Sequence, residues 1–129
     1  SSHSTLATPD FLACFIASHI ASPARLMALR RLLCSIKQQV PCPPPQIYIS
    51  WSSAPTLVKD VRSTLASASS FLIHYEQPMH LSQFEHYAQL VSMIPWPPPH
   101  WICFSDDDDL WSERRMAIIA RACHAAAES

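Results

Sequence analysis

Four short apolar runs, at residues 11–17, 47–50, 71–75 and 101–105, alternate with four stretches whose apolar side chains recur every third or fourth residue. A short apolar run bounded by turn residues reads as a buried strand, and three-four spacing as one face of a helix. Strict alternation of the two argues for a parallel sheet with helices on its faces, since parallel strands need a crossover connection. The predicted fold class is α/β, a three-layer α/β/α sandwich built on a Rossmann-like parallel sheet of about four strands. Right-handed crossovers with a reversal after the second helix give the strand order 3-2-1-4. That reversal lies between strands one and four, so a pocket is expected where the turn Ser18 to Arg25 meets the end of the fourth strand.

Local signals set the helices. Ser22 is a plausible N-cap with Pro23 in the first helical position, and Leu26, Leu29, Leu33, Ile36 and Val40 form an apolar stripe that Pro41 stops. Pro55 opens a second helix with the stripe Val58, Val61, Leu65 and Ala68. Ser82-Gln83-Phe84-Glu85 has the form of a capping box, and the helix behind it is read as turning Phe84, Tyr87, Ala88, Val91 and Ile94 inward. Ser112 is read as the cap of a last helix with Met116, Ile119, Ala120 and Cys123 on one face. Two proline-rich connectors, residues 40–46 and 94–100, read as stiff extended links into strands rather than as ligands for a proline-binding module.

The chain of 129 residues contains no glycine. A phosphate-wrapping P-loop and a dinucleotide-binding G-x-G-x-x-G both need glycines for close backbone approach, so both are excluded. An EF-hand, which requires glycine at the sixth loop position, is excluded as well. A net charge of −1 with dispersed Lys and Arg gives no nucleic-acid footprint. Residues 11–21 are too short an apolar stretch to span a bilayer and lack a basic leader, so neither a membrane span nor a signal peptide is expected. Cys14, Cys34, Cys42, Cys103 and Cys123 have no C-x-x-C spacing and read as small buried hydrophobes. Reduced thiols suggest a cytoplasmic setting; a Golgi or other secretory lumen is the alternative if a longer chain carries an anchor.

Asp106-Asp107-Asp108-Asp109, directly after the fourth apolar run, hold four of the ten acidic residues. Carboxylates this close repel one another, and a divalent cation relieves the repulsion; hard oxygen ligands suit Mg²⁺, Mn²⁺ or Ca²⁺. The C-terminal ends of strands are where open α/β sheets bind ligands. A solvated acidic loop is the alternative.

The order of these motifs resembles the nucleotide-sugar-binding half of a GT-A glycosyltransferase of the family-two-like kind, over most of residues 11–125. The helix beginning Pro23-Ala-Arg25 and ending Ser35-Ile36-Lys-Gln38-Gln39 looks like that family's first helix, which typically ends in Ser-Ile-x-x-Gln. Phe104-Ser-Asp-Asp-Asp-Asp-Leu-Trp111 is similar to its D-x-D region. The resemblance implies that Asp106 and Asp108, with Asp107 or Asp109 supporting, hold Mn²⁺ or Mg²⁺ against the diphosphate of a nucleotide sugar, a UDP-sugar foremost, for transfer to an unknown acceptor. It implies further contacts from Ser18, Arg25, Gln83 and His86, with Asp106 and Asp107 also near the nucleotide. At the end of the second strand the family usually has a base-reading aspartate; here Ser50 and Trp51 take that place, as a hydrogen-bonding group and a stacking ring, with an exposed or core Trp51 as the equal alternative.

The family also needs an acceptor-binding half that usually carries the catalytic base. Beyond Trp111 only Glu113, His124 and Glu128 are offered, so residues 1–10 are read as an extension and 11–129 as a donor domain incomplete at its C-terminus, expected to hydrolyse a nucleotide sugar slowly at most. A non-catalytic metal- and nucleotide-binding module uses the same residues. An aspartate-nucleophile phosphotransferase fits less well, because its D-x-D follows the first strand, not the fourth. His74, His80 and His86, spaced by six, share no helix or strand face and are not expected to bind a metal together.

Overall fold

The computed structural model of the chain describes residues 12–40, 45–93, 101–108 and 110–128. Phe11, Cys42, Ile94, Asp109 and most of both proline-rich connectors lie outside the described residues. The elements run β1 (Leu12–Ile20), α1 (Pro23–Lys37), β2 (Gln46–Ser53), a 3-10 turn (Pro55–Leu57), α2 (Val58–Ala66), β3 (Leu72–Glu76), α3 (Gln83–Met93), β4 (Trp101–Asp106) and α4 (Arg115–Glu128). All four strands are parallel in the order β3-β2-β1-β4. The predicted fold class and strand order are both present.

The crossover rule explains which face each helix takes. Stepping from β1 to β2 to β3 moves the chain one way across the sheet, so α1 and α2 lie on one face; returning past β2 and β1 to β4 puts α3 on the other. Leu29, Leu32, Leu33 and Ile36 of α1, Val61 and Leu65 of α2, and Met116 and Ala120 of α4 pack with Cys14, Ile16, Ile47 and Ile49 in the larger core. Across the sheet Ala13 and Phe15 meet Leu90 of α3 in a smaller one. Phe104 of the edge strand stays half exposed, its ring set edge-on against Phe15 and Tyr87.

β1 runs through Ser18 and His19 to Ile20, three residues past the apolar run that predicts it, because its ladder with β2 continues to Ile20–Ser53. Val40 lies beyond the end of α1 and is exposed, while Leu32 joins the buried stripe. The inward face assigned to α3 is out of phase. Phe84, Ala88 and Val91 are exposed, and the helix buries His86 and Leu90 instead.

Ser22 caps α1 as expected, accepting from the Arg25 amide at 3.3 Å. The capping box of α3 is also closed from both sides: Glu85 takes the Ser82 N–H at 2.9 Å and Ser82 Oγ takes the Glu85 N–H at 3.1 Å. The Ser82 backbone bond, ahead of its hydroxyl, holds the Glu85 carboxyl below its ordinary pKa.

Ser112 does not cap α4, which begins at Arg115. Gln39 does that work from the other end of α1. Its Oε1 accepts the Met116 N–H at 2.8 Å, and its Nε2 donates to the Ser112 carbonyl at 2.7 Å and the Ser35 carbonyl at 3.1 Å. Ser35 Oγ accepts the Trp111 N–H at 3.0 Å. The Ser-Ile-x-x-Gln end of α1 thus clamps the chain leaving the aspartates. Gln39 is buried, so Gln39→Ala leaves donors and acceptors bare and costs about 1–3 kcal/mol. Urea denaturation gives the total, and hydrogen exchange places the loss first at the Met116 amide.

Candidate functional site

A pocket of about 320 Å³ opens where the C-terminal ends of β1 and β4 part, the place the strand reversal predicts. Its size lies at the lower end of small-molecule sites. Ser18 and His19 come from the end of β1, Arg25 from the first turn of α1, Asp106, Asp107 and Asp108 from the end of β4, and His80, Ser82, Gln83 and His86 from the turn before α3 and its first turn.

The three described aspartates have different surroundings. Asp107 is buried, and its carboxylate accepts from Ser18 Oγ at 2.8 Å and Arg25 Nη2 at 2.6 Å. It therefore bolts the end of β4 to β1 and α1. Asp106 is exposed and accepts from Gln83 Nε2 at 2.9 Å, which ties it to α3. Asp108 is exposed and meets the other Arg25 nitrogen at 3.3 Å. Arg25, predicted as a diphosphate contact, is the counterion of two aspartates in this state; with 42% of its side chain exposed it remains open to the pocket. Asp109 lies outside the described residues.

Among the described residues no three His, Cys, Asp or Glu side chains are grouped to hold a metal ion. Asp106 and Asp108 nevertheless offer a donor set that suits Mg²⁺ or Mn²⁺, because such ions are commonly held by one or two carboxylates, with substrate phosphates and water completing the shell. Asp107 is already committed to its two donors.

Three imidazoles also line the pocket. His19 and His80 stack with ring centroids 3.7 Å apart and planes 13° from parallel, and His19 Nδ1 lies 2.7 Å from Ser52 Oγ. His86 is 1% exposed; its Nδ1 lies 2.8 Å from Ser50 Oγ, while Nε2 has no hydrogen-bond partner. Burial, then the neighbouring His19 and His80, lower the pKa of His86; burial and then His80 lower that of His19. His74 is apart from these, accepting the Trp51 indole N–H at 3.3 Å, and burial lowers its pKa too.

Ser18, Arg25, Gln83, His86 and the three described aspartates converge on one pocket, and Ser50 and Trp51 do not line it. Successive residues of a strand point to opposite faces. Ser50 turns toward α3 and stands behind His86, whereas Trp51 turns toward α1 and α2 and is fully buried in the larger core. Of the two readings of Trp51, the structure shows the core residue and not the stacking platform. The predicted contacts leave out His80 and include His19 only as part of the turn from Ser18 to Arg25. His80 sits before α3 at a position whose sequence neighbours carry no ligand signal, and only the fold brings it onto His19.

Among the described residues no helix is long and apolar enough to cross a membrane. Cys14 and Cys123 are buried as expected, Cys103 partly, and Cys34 is exposed. The sequence matches no family model, and a search of curated proteins finds no significant relative.

Proposed function

We propose that the pocket between β1 and β4 binds a nucleoside diphosphate sugar, a UDP-sugar foremost, together with Mn²⁺ or Mg²⁺, in the service of glycosyl transfer. The observation that carries this reading is the convergence of Asp106, Asp108 and Arg25 with Ser18, Gln83 and His86 at the reversal of strand order. Asp106 and Asp108 would hold the cation. A divalent ion bound there supplies charge stabilisation for a departing diphosphate. Asp107, held by Ser18 and Arg25, fixes the height and direction of its two neighbours. The Arg25 guanidinium carries positive charge to the pocket rim, where phosphate oxygens are its natural partners. The first turn of α3, rigidly capped by Ser82 and Glu85, turns the positive end of a helix to the same space.

The Arg25 pairs favour a second reading, in which the guanidinium, held between Asp107 and Asp108, is the only cation of the site and nucleotide binds without metal or turnover. Titrating the protein with UDP in the presence and absence of Mn²⁺ separates the two. Under the first reading UDP binds with Mn²⁺ and binds far more weakly after chelation. Equal affinity in both conditions supports the second, and the absence of any UDP binding overturns both.

A further inference from the structure

We infer that His86 is a specificity-determining donor of this pocket, its Nε2–H receiving an uncharged acceptor oxygen, a base carbonyl or a ribose hydroxyl, from the nucleoside part of the ligand. The inference rests on the pocket's being a nucleoside diphosphate site.

The hydrogen bonds around Ser50 point to one tautomer of His86. Gln77 Nε2 donates to Ser50 Oγ at 3.1 Å, and Ser50 Oγ lies 2.8 Å from His86 Nδ1. A hydroxyl has one proton to give. Its two lone pairs could take both Gln77 and a protonated Nδ1. Ser50 is fully buried, however, and among the described residues its hydroxyl has no other side-chain partner than these two, so its one proton goes to Nδ1, which is then the acceptor nitrogen. A neutral imidazole with an unprotonated Nδ1 carries its proton on Nε2. That N–H has no partner although the residue is 1% exposed. Buried donors are almost always satisfied, so an orphan in a pocket wall needs an explanation. An oxygen brought by a ligand provides one. His19 offers no comparable vacancy: its Nδ1 also faces a serine hydroxyl, but the residue is only partly buried and its Nε2 is not shut away from water.

Strand order says which part of the ligand arrives. The carboxylates end β4, His86 is anchored through Ser50 to β2, and β1 lies between. A diphosphate held at Asp106 and Asp108 beside Arg25 leaves the rest of the molecule to extend across β1 toward β2. The guanidinium and the carboxylates belong to the charged end, and a neutral N–H donor suits the uncharged end.

Two measurements test the assignment. Imidazole ¹⁵N–¹H correlation spectra of the wild-type protein are expected to give His86 as the Nε2–H tautomer; the Nδ1–H form would overturn the relay. Calorimetry with Mg²⁺ and UDP, uridine, ribose 5-phosphate or pyrophosphate then compares wild type with His86→Phe and His86→Gln. Loss of one buried donor is expected to weaken UDP and uridine roughly tenfold in His86→Phe and leave pyrophosphate unchanged. His86→Gln, which can present an amide N–H in place of Nε2, recovers part of the loss and serves if the phenylalanine variant does not fold. Weakening of uridine alone assigns the base carbonyl, and weakening of ribose 5-phosphate as well assigns the ribose hydroxyl. UDP bound equally by wild type and both variants would overturn the role of His86 and leave the proposed function standing. UDP not bound by the wild type would overturn the proposed function and this inference with it.

Discussion

Trp51→Ala is expected to lower the stability of the domain by about 3–5 kcal/mol, the range for removing a large aromatic side chain from a core. Trp51 is fully buried among the residues that join α1 and α2 to the sheet, and no solvent-exposed edge softens the loss. The substitution also strips His74 Nδ1 of the indole N–H it accepts at 3.3 Å. Trp51→Phe separates the two parts: it keeps most of the apolar contact, loses the donor, and is expected to cost about 1–2 kcal/mol through reduced packing and the unmet acceptor. Urea midpoints at constant slope report both values. A change below about 1 kcal/mol for the alanine variant would mean that the indole is not part of the core.

Trp51 also marks where sequence reasoning stops. The alternation of strands and helices, the Ser22 cap and the Ser82–Glu85 capping box are legible because each depends on spacing within one or two turns of chain, and the strand order follows from the crossover rule applied to that alternation. The pocket's position follows from the order alone. Which face a residue at a strand's end takes is harder to read, because it depends on where the ladder stops. Ser50 and Trp51 look like neighbours at one site, yet the pleat sends one to each face.

The phase of α3 fails for a related reason. Phe84, Ala88 and Val91 make the more apolar stripe, but the sheet face under α3 presents Ser50, and His86 can be buried there by bonding to it. That partner lies 36 residues away in the chain and leaves no local trace. Gln39 is similar. Its place in the Ser-Ile-x-x-Gln ending is a visible pattern, but its bonds to residues 112 and 116, more than 70 residues on, exist only once the chain after β4 is in place.

The aspartates divide by the same logic, and this gives the second large effect. Asp106→Asn/Asp108→Asn is expected to reduce Mn²⁺-dependent UDP binding by at least about a hundredfold, since changes to groups merely supporting a ligand already cost 10- to 100-fold. Both carboxylates are exposed, so folding stability should stay within about 0.5 kcal/mol of wild type. Asp107→Ala should do the reverse in its first effect. It removes the acceptor of Ser18 Oγ and the closer partner of Arg25. Breaking a wholly buried ion pair costs about 3–5 kcal/mol, but the Arg25 side chain is 42% exposed and water screens it, so about 2 kcal/mol is the expected loss. The two classes are read by pairing calorimetry with urea denaturation on each variant. If the double variant binds UDP and Mn²⁺ as the wild type does, Asp106 and Asp108 are only a solvated rim, tied back by Gln83 and Arg25. If Asp107→Ala leaves stability unchanged, the bolt between β4, β1 and α1 is not what holds the cluster in place.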